Sequence, residues 1–94
     1  MKTIGFIGIG LMGRPMSSRL LDAGFPLSVW NRSPEKSSPL VDQGAKKATS
    51  VTDLVSSCDV VCLCLTDTMA VEQVFAEMLP ALIQGQIIVD FSSI

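Results

Sequence analysis

Three glycines and one arginine carry the chemistry that the residue types and spacings of this chain allow. Gly8, Gly10 and Gly13 form the pattern G-x-G-x-x-G within Gly8-Ile9-Gly10-Leu11-Met12-Gly13. An apolar run at residues 3–7 precedes the pattern, and an amphipathic stretch follows, leading to a second apolar run that ends Trp30-Asn31-Arg32. Strand, glycine turn, helix, strand is the order that builds a pocket for a dinucleotide pyrophosphate. Gly8 permits a tight turn, Gly10 lets phosphate approach the backbone with no Cβ in the way, and Gly13 lets helix and strand pack closely. N–H groups at the helix start then face the anion, assisted by the helix dipole.

The end of the second strand is where such an arrangement selects its nucleotide. An Asp or Glu there accepts hydrogen bonds from a ribose 2′-hydroxyl and favours NAD, whereas an Arg suits a 2′-phosphate. Asn31-Arg32-Ser33 is neutral, then cationic, then hydroxyl-bearing. An Arg fork pairs well with phosphate oxygens, so the triplet favours NADP while leaving NAD possible. The plainer alternative for Arg32 is a solvated loop residue. Arg14 can reach a pyrophosphate or simply be solvated, and Leu11 and Met12 either cover the cofactor or pack beneath the turn.

Two further polar clusters end apolar runs. Thr66-Asp67 is read equally well as a nucleotide contact or as a helix cap. Ser92 and Ser93 either bind the carboxylate or hydroxyl of a small substrate or form an ordinary turn. A proton donor for a carbonyl is not legible. The chain has no His and no Tyr, and none of Lys2, Lys36, Lys46 and Lys47 is expected at the nicotinamide end. Asp67 and Asp90, as carboxylates, are expected to be poor proton donors.

The elements that must position these residues alternate. Strands are expected at 3–7, 27–30, 45–48, 60–65 and 86–89. Helices are expected from about Gly13 to Gly24 with Pro15 in the first turn, and from 34 to 43 with Ser33 as cap. Two more are expected at 50–57, capped by Ser50 or Thr52, and from 66–68 to Pro80. Met16, Leu20 and Leu21 form the first helix's apolar stripe, and Gly24 its left-handed end. Val71, Val74, Phe75 and Met78 stripe the last. Strict alternation implies an α/β fold, a doubly wound parallel sheet of Rossmann type with strand order 3-2-1-4-5. Ligands of such sheets bind outside the carboxyl ends of the strands, where the polar exits Gly8-Ile9-Gly10, Asn31-Arg32-Ser33, Thr66-Asp67 and Asp90-Ser92-Ser93 fall together.

Composition agrees with this reading. The 94 residues allow one small domain, and 48% hydrophobic content supports a core. A net charge of −2 and a pI near 4.8 argue against nucleic acid or an anionic membrane as partner. No apolar run approaches the ~20 residues that cross a bilayer. Cys58, Cys62 and Cys64 cluster on the expected fourth strand, but no His completes a metal set, so buried thiols in a reducing cytoplasmic setting are expected.

The string Phe6-Ile7-Gly8-Ile9-Gly10-Leu11-Met12-Gly13-Arg14-Pro15-Met16 resembles the amino-terminal signature of the β-hydroxyacid dehydrogenases. That family includes 3-hydroxyisobutyrate dehydrogenase and the glyoxylate/succinic semialdehyde reductases. The resemblance extends to Val29-Trp30-Asn31-Arg32-Ser33, to Cys62-Leu63-Cys64-Leu65 with the turn that follows, and to Asp90-Phe91-Ser92-Ser93, where Ser93 stands in place of the usual Thr. It implies that Gly8, Gly10, Leu11, Met12 and Gly13 hold pyrophosphate, and that Asn31, Arg32 and Ser33 hold the adenosine phosphate. Leu65, Thr66 and Asp67 would line the cofactor, and Ser92 and Ser93 would contact the substrate. The implied reaction moves a hydride between NADP(H) and a small 3-hydroxy acid or semialdehyde. Family members continue into a sixth strand and a helical domain carrying the catalytic Lys. Residues 1–94 are therefore expected to be an incomplete cofactor-binding domain, inactive alone.

One rival is a non-catalytic nucleotide-sensing module. Another is a methyltransferase using S-adenosylmethionine, for which Asn31-Arg32 suits the ribose poorly. A short-chain dehydrogenase is excluded by the missing Tyr. The last strand, left with an open edge, is expected to promote self-association into a homo-oligomer.

Overall fold

Each apolar run becomes a strand and each amphipathic stretch a helix. The strands are β1 (Ile4–Ile7), β2 (Leu27–Trp30), β3 (Lys46–Lys47), β4 (Val60–Leu63) and β5 (Ile87–Asp90). The helices are α1 (Gly10–Asp22), α2 (Ser38–Asp42), α3 (Val51–Ser57) and α4 (Thr68–Met78), with 3-10 turns at Pro34–Ser37 and Leu79–Ala81. This computed structural model describes residues 2–8, 10–32, 34–65 and 68–90, and at 10–13, 34, 36 and 68 the backbone alone.

All strand pairs are parallel, and the order is β3-β2-β1-β4-β5, as the alternation predicts. β1 is central: Phe6 lies opposite Val29 on one side and Cys62 on the other. Because helices cover both faces, successive residues of one strand enter different cores. Ile7, Val61 and Leu63 pack with Leu54 and Val55 of α3 and Val74 and Met78 of α4. Ile4, Phe6, Leu27, Val29 and Cys62 pack on the opposite face with Leu40 of α2 and Met16, Leu20 and Leu21 of α1. That two-sided burial is why β4 reads as an unbroken apolar run.

Several boundaries differ from the sequence expectation. α1 begins at Gly10 rather than Gly13, so Leu11 and Met12 belong to the helix and Pro15 lies in its interior. A proline there leaves the carbonyl four residues earlier without its helical donor. The single helix expected over 34–43 divides into the 3-10 turn and α2, because Pro39 at the start of α2 has no N–H to continue the ladder. β3 is two residues long, and β4 stops at Leu63, with Cys64 and Leu65 beyond it. Cys58 is the C-cap of α3, not a strand residue, and it packs on the face opposite Cys62 and Cys64. All three thiols are free and buried.

Between the two caps considered for α3, Ser50 is the one used: its hydroxyl accepts the Asp53 N–H at 3.0 Å. Thr52 instead donates to the Glu77 carbonyl at 3.4 Å. Gly24 ends the α1 turn with φ +89°, as expected of a left-handed terminus. β5 is shifted one residue along from its expected position. Gln86, expected to start it, is drawn to the end of α3, where its Nε2 donates to the Cys58 carbonyl at 2.8 Å, and its Oε1 accepts the Ile83 N–H at 2.7 Å. Among the described residues no helix is long and apolar enough to cross a membrane.

Candidate functional site

Parallel strands bring their carboxyl ends to one rim, and the chain segments leaving β1, β2 and β4 meet there. Gly8 is the first residue past β1. Its N–H donates to the Trp30 carbonyl at the end of β2, 2.9 Å away, while Cys64 beyond β4 donates to the Ile7 carbonyl at 2.9 Å. Gly8 is therefore held between two neighbouring strand exits. Its φ is +82°, and a Cβ built on it would fall 2.5 Å from the Cys64 carbonyl oxygen and 2.7 Å from a Leu65 methyl. Only glycine fits this position, on both backbone and steric grounds. The chain then enters α1 at Gly10, so the first N–H groups of that helix, which lack intrahelical acceptors, lie immediately after the turn.

A cleft of about 200 Å³ opens at this rim, walled by Gly8, Trp30, Asn31, Arg32 and Leu65 on the sheet side. Its other wall is α4, through Ala70, Gln73, Val74 and Glu77. Arg32 and Gln73 meet across the cleft: Arg32 Nη2 donates to Gln73 Oε1 at 2.9 Å. A second depression, of about 420 Å³, lies beside it between the β2 and β3 exits, with Ser37, Lys47 and Thr49 joining Trp30 and Asn31. A third lies at the amino ends of the strands, around Lys2, Asp59 and Gln86. That is the end of a doubly wound sheet where ligands are not expected.

The structure thus gathers Gly8, Asn31, Arg32 and Leu65 around one opening and sets the backbone of Gly10, Leu11, Met12 and Gly13 in the first turn of α1. Ser33, Thr66, Asp67, Ser92 and Ser93 lie outside the described residues. Asp90 closes β5, opposite Leu63. The α4 wall and the Lys47 depression are additions that the residue pattern did not single out. The signal for the first was present: positions 70, 73, 74 and 77 repeat at i, i+3, i+4 and i+7, a helical face adjoining the apolar stripe.

The chemistry of the cleft is that of anion binding rather than proton transfer. Its charged groups are the Arg32 guanidinium and, further along α4, the Glu77 carboxylate, with the first turn of α1 starting just past Gly8. Of the lysines whose side chains are described, Lys2 lies at the far end of the sheet, and Lys46 and Lys47 form β3, none of them lining this cleft. The buried thiols are poor nucleophiles. Desolvation, together with smaller contributions from Cys64 and Cys58, pushes the Cys62 pKa from 9.0 up to about 11, and burial raises Cys58 and Cys64 also. All three stay protonated at neutral pH.

Residues 3–94 match the family described as the NAD binding domain of 6-phosphogluconate dehydrogenase. An NADPH-dependent reductive aminase of Aspergillus oryzae is 38% identical over 86% of this chain and 28% of its own length. The chloroplastic glyoxylate/succinic semialdehyde reductase 2 of Arabidopsis thaliana is 43% identical over 69% of the chain and 18% of its own length. The solved structure of Mycobacterium tuberculosis 3-hydroxyisobutyrate dehydrogenase superposes with a TM-score of 0.91 at 30% identity, over 98% of this chain and 32% of that one. The chain spans under a third of the length of these relatives, all of it within the nucleotide-binding fold.

Proposed function

Because the chain belongs to the family of the NAD binding domain of 6-phosphogluconate dehydrogenase, we propose that it is the coenzyme-binding part of an oxidoreductase that transfers a hydride between NADP(H) and a small 3-hydroxy acid or its semialdehyde. The coenzyme supplies the hydride; the residues of this chain grip, orient and select it. Gly8, Gly10, Leu11, Met12 and Gly13 form the pyrophosphate turn, and Asn31, Arg32 and Ser33 the adenosine-phosphate contact. Leu65, Thr66 and Asp67 flank the coenzyme, and Ser92 and Ser93 meet a substrate carboxylate. The partners in this reading are the small substrate and further copies of the chain, not nucleic acid or membrane.

The observation that carries the reading is the pairing, around one opening, of a glycine whose missing Cβ would strike the Cys64 carbonyl with the Arg32 guanidinium. The tight Gly8 turn delivers the chain directly into α1, whose first N–H groups suit a phosphate. The Arg32 cation then favours one more phosphate over a bare hydroxyl. In this reading the proton donor lies outside the 94 residues, and adding semialdehyde and NADPH to the chain alone leaves the nicotinamide absorbance unchanged.

Calorimetric titration of Arg32→Asp with NADP⁺ and NAD⁺ tests the assignment. Affinity for NADP⁺ is expected to fall by at least about tenfold and affinity for NAD⁺ far less; an equal loss of both would refute the phosphate role. A second acceptor class has its own support in the Aspergillus oryzae relative, which is named a reductive aminase: the hydride would then go to a C=N bond in place of C=O.

A further inference from the structure

Arg32 leaves β2 in an exposed segment, and a long solvated side chain loses considerable rotamer freedom when it must hold one geometry. Among the described residues its guanidinium is held by the 2.9 Å bond from Nη2 to Gln73 Oε1, made across 41 residues of sequence. Gln73 sits on a firm support. Its neighbour Val74 and, one turn on, Met78 are buried in the core against α3 and the sheet. The bond therefore ties a mobile cation to a fixed helix.

The chemistry of the partner matters as much as its place. An amide oxygen accepts a hydrogen bond without carrying charge, and a guanidinium has five N–H donors, so one such bond orients the fork without neutralising it. A carboxylate in the same place would do the opposite, since it would compete with any phosphate for the cation. One such group is near: Glu77 lines the same cleft one turn further along α4.

Resting on the reading of Arg32 as the 2′-phosphate contact, we infer that Gln73 is a positioning residue for coenzyme discrimination. Its neutral amide holds the Arg32 guanidinium at the mouth of the cleft with its charge intact and keeps it from pairing with Glu77.

The test is a double-mutant cycle on the 94-residue chain, titrated with NADP⁺ and with NAD⁺ by calorimetry, each variant first checked for native circular dichroism. Gln73→Leu is expected to weaken NADP⁺ binding about 3- to 10-fold and NAD⁺ binding less than about twofold. Gln73→Glu, which keeps the shape and adds a charge, is expected to weaken NADP⁺ more than Gln73→Leu does. Added to Arg32→Ser, Gln73→Leu is expected to change nothing further for NADP⁺. Equal losses for both coenzymes, tighter NADP⁺ binding in Gln73→Leu, or a Gln73→Leu effect that survives in the Arg32→Ser background would each overturn the inference. If Arg32→Ser itself weakens both coenzymes equally, the underlying reading of Arg32 fails instead, and the cycle tells the two failures apart.

Discussion

The Cys64 carbonyl oxygen occupies the place that a Gly8 side chain would need, since a Cβ built on Gly8 falls 2.5 Å from it. The obstacle is backbone, fixed by the Cys64 N–H donating to Ile7, so it cannot swing aside as a side-chain tip would. Gly8→Ala therefore faces two penalties, the steric one and a φ of +82°. Gly24 isolates the second of them, with φ +89° and nothing within 4 Å of an added Cβ. Urea unfolding should show Gly24→Ala losing about 1–2 kcal/mol and Gly8→Ala losing clearly more. The latter variant should also fail to bind NADP⁺ in calorimetry. Equal losses in stability would mean that the strand exits relax easily around Gly8.

A second glycine, Gly5 within β1, is constrained by side chains. An added Cβ on Gly5 would fall 2.5 Å from Leu54 Cδ2 and 2.9 Å from Cys58 Sγ, and Leu54 is fully buried. This contact is side chain against side chain, so it should yield to a compensating change. Gly5→Ala is expected to cost about 1–3 kcal/mol by overpacking. Leu54→Val, which removes the Cδ2 methyl that reaches Gly5, should recover part of that loss when the two are combined. Strictly additive losses in urea denaturation would contradict the direct contact.

The strand order and both faces of the sheet were legible because each depends on alternation alone: an apolar run, a helix, an apolar run. The cap of α3 was legible only as a choice between Ser50 and Thr52; the structure uses Ser50, and Thr52 turns to the Glu77 carbonyl of the neighbouring helix. Positions governed by tertiary geometry were not. Gln86 has the composition of a strand start, yet carbonyls at the end of α3 capture its amide. Pro15 suggested a first-turn position, but α1 tolerates it in the interior, where packing of Met16, Leu20 and Leu21 outweighs one lost hydrogen bond. Gln73 was invisible for a related reason. Its partner is 41 residues away in sequence, and only the crossover from β2 to α4 brings them together.

Alkaline pH should weaken the fold through Cys62. Burial raises its pKa from 9.0 to about 11 in the folded chain, so between those values the unfolded chain sheds the proton first. The unfolded state then binds fewer protons than the native one, and stability falls as pH rises through that window. Below pH 9 the group contributes no pH dependence. Urea midpoints measured from neutral pH to pH 10.5 should therefore decline more steeply for the wild-type chain than for Cys62→Ala. Identical slopes would indicate that Cys62 is solvated enough to titrate normally.

The open side of β5 should drive self-association. β5 pairs with β4 along one side, and no other described strand lies beyond it in the sheet. Ile87, 51% exposed, and Ile88 leave apolar surface on the same four-residue edge, and Leu79, Leu82 and Ile83 are exposed in the segment leading to it. An exposed apolar sheet edge is a template for pairing with a second copy. Sedimentation velocity is expected to show dimers or larger species growing with concentration. Ile87→Lys, which places a charge on that edge at a half-exposed position, should shift the distribution toward monomer without lowering NADP⁺ affinity, because the cleft at Gly8 and Arg32 is built from the exits of β1, β2 and β4. A wild-type chain that stays monomeric at every concentration would show that the short β5 edge is too weak a template by itself.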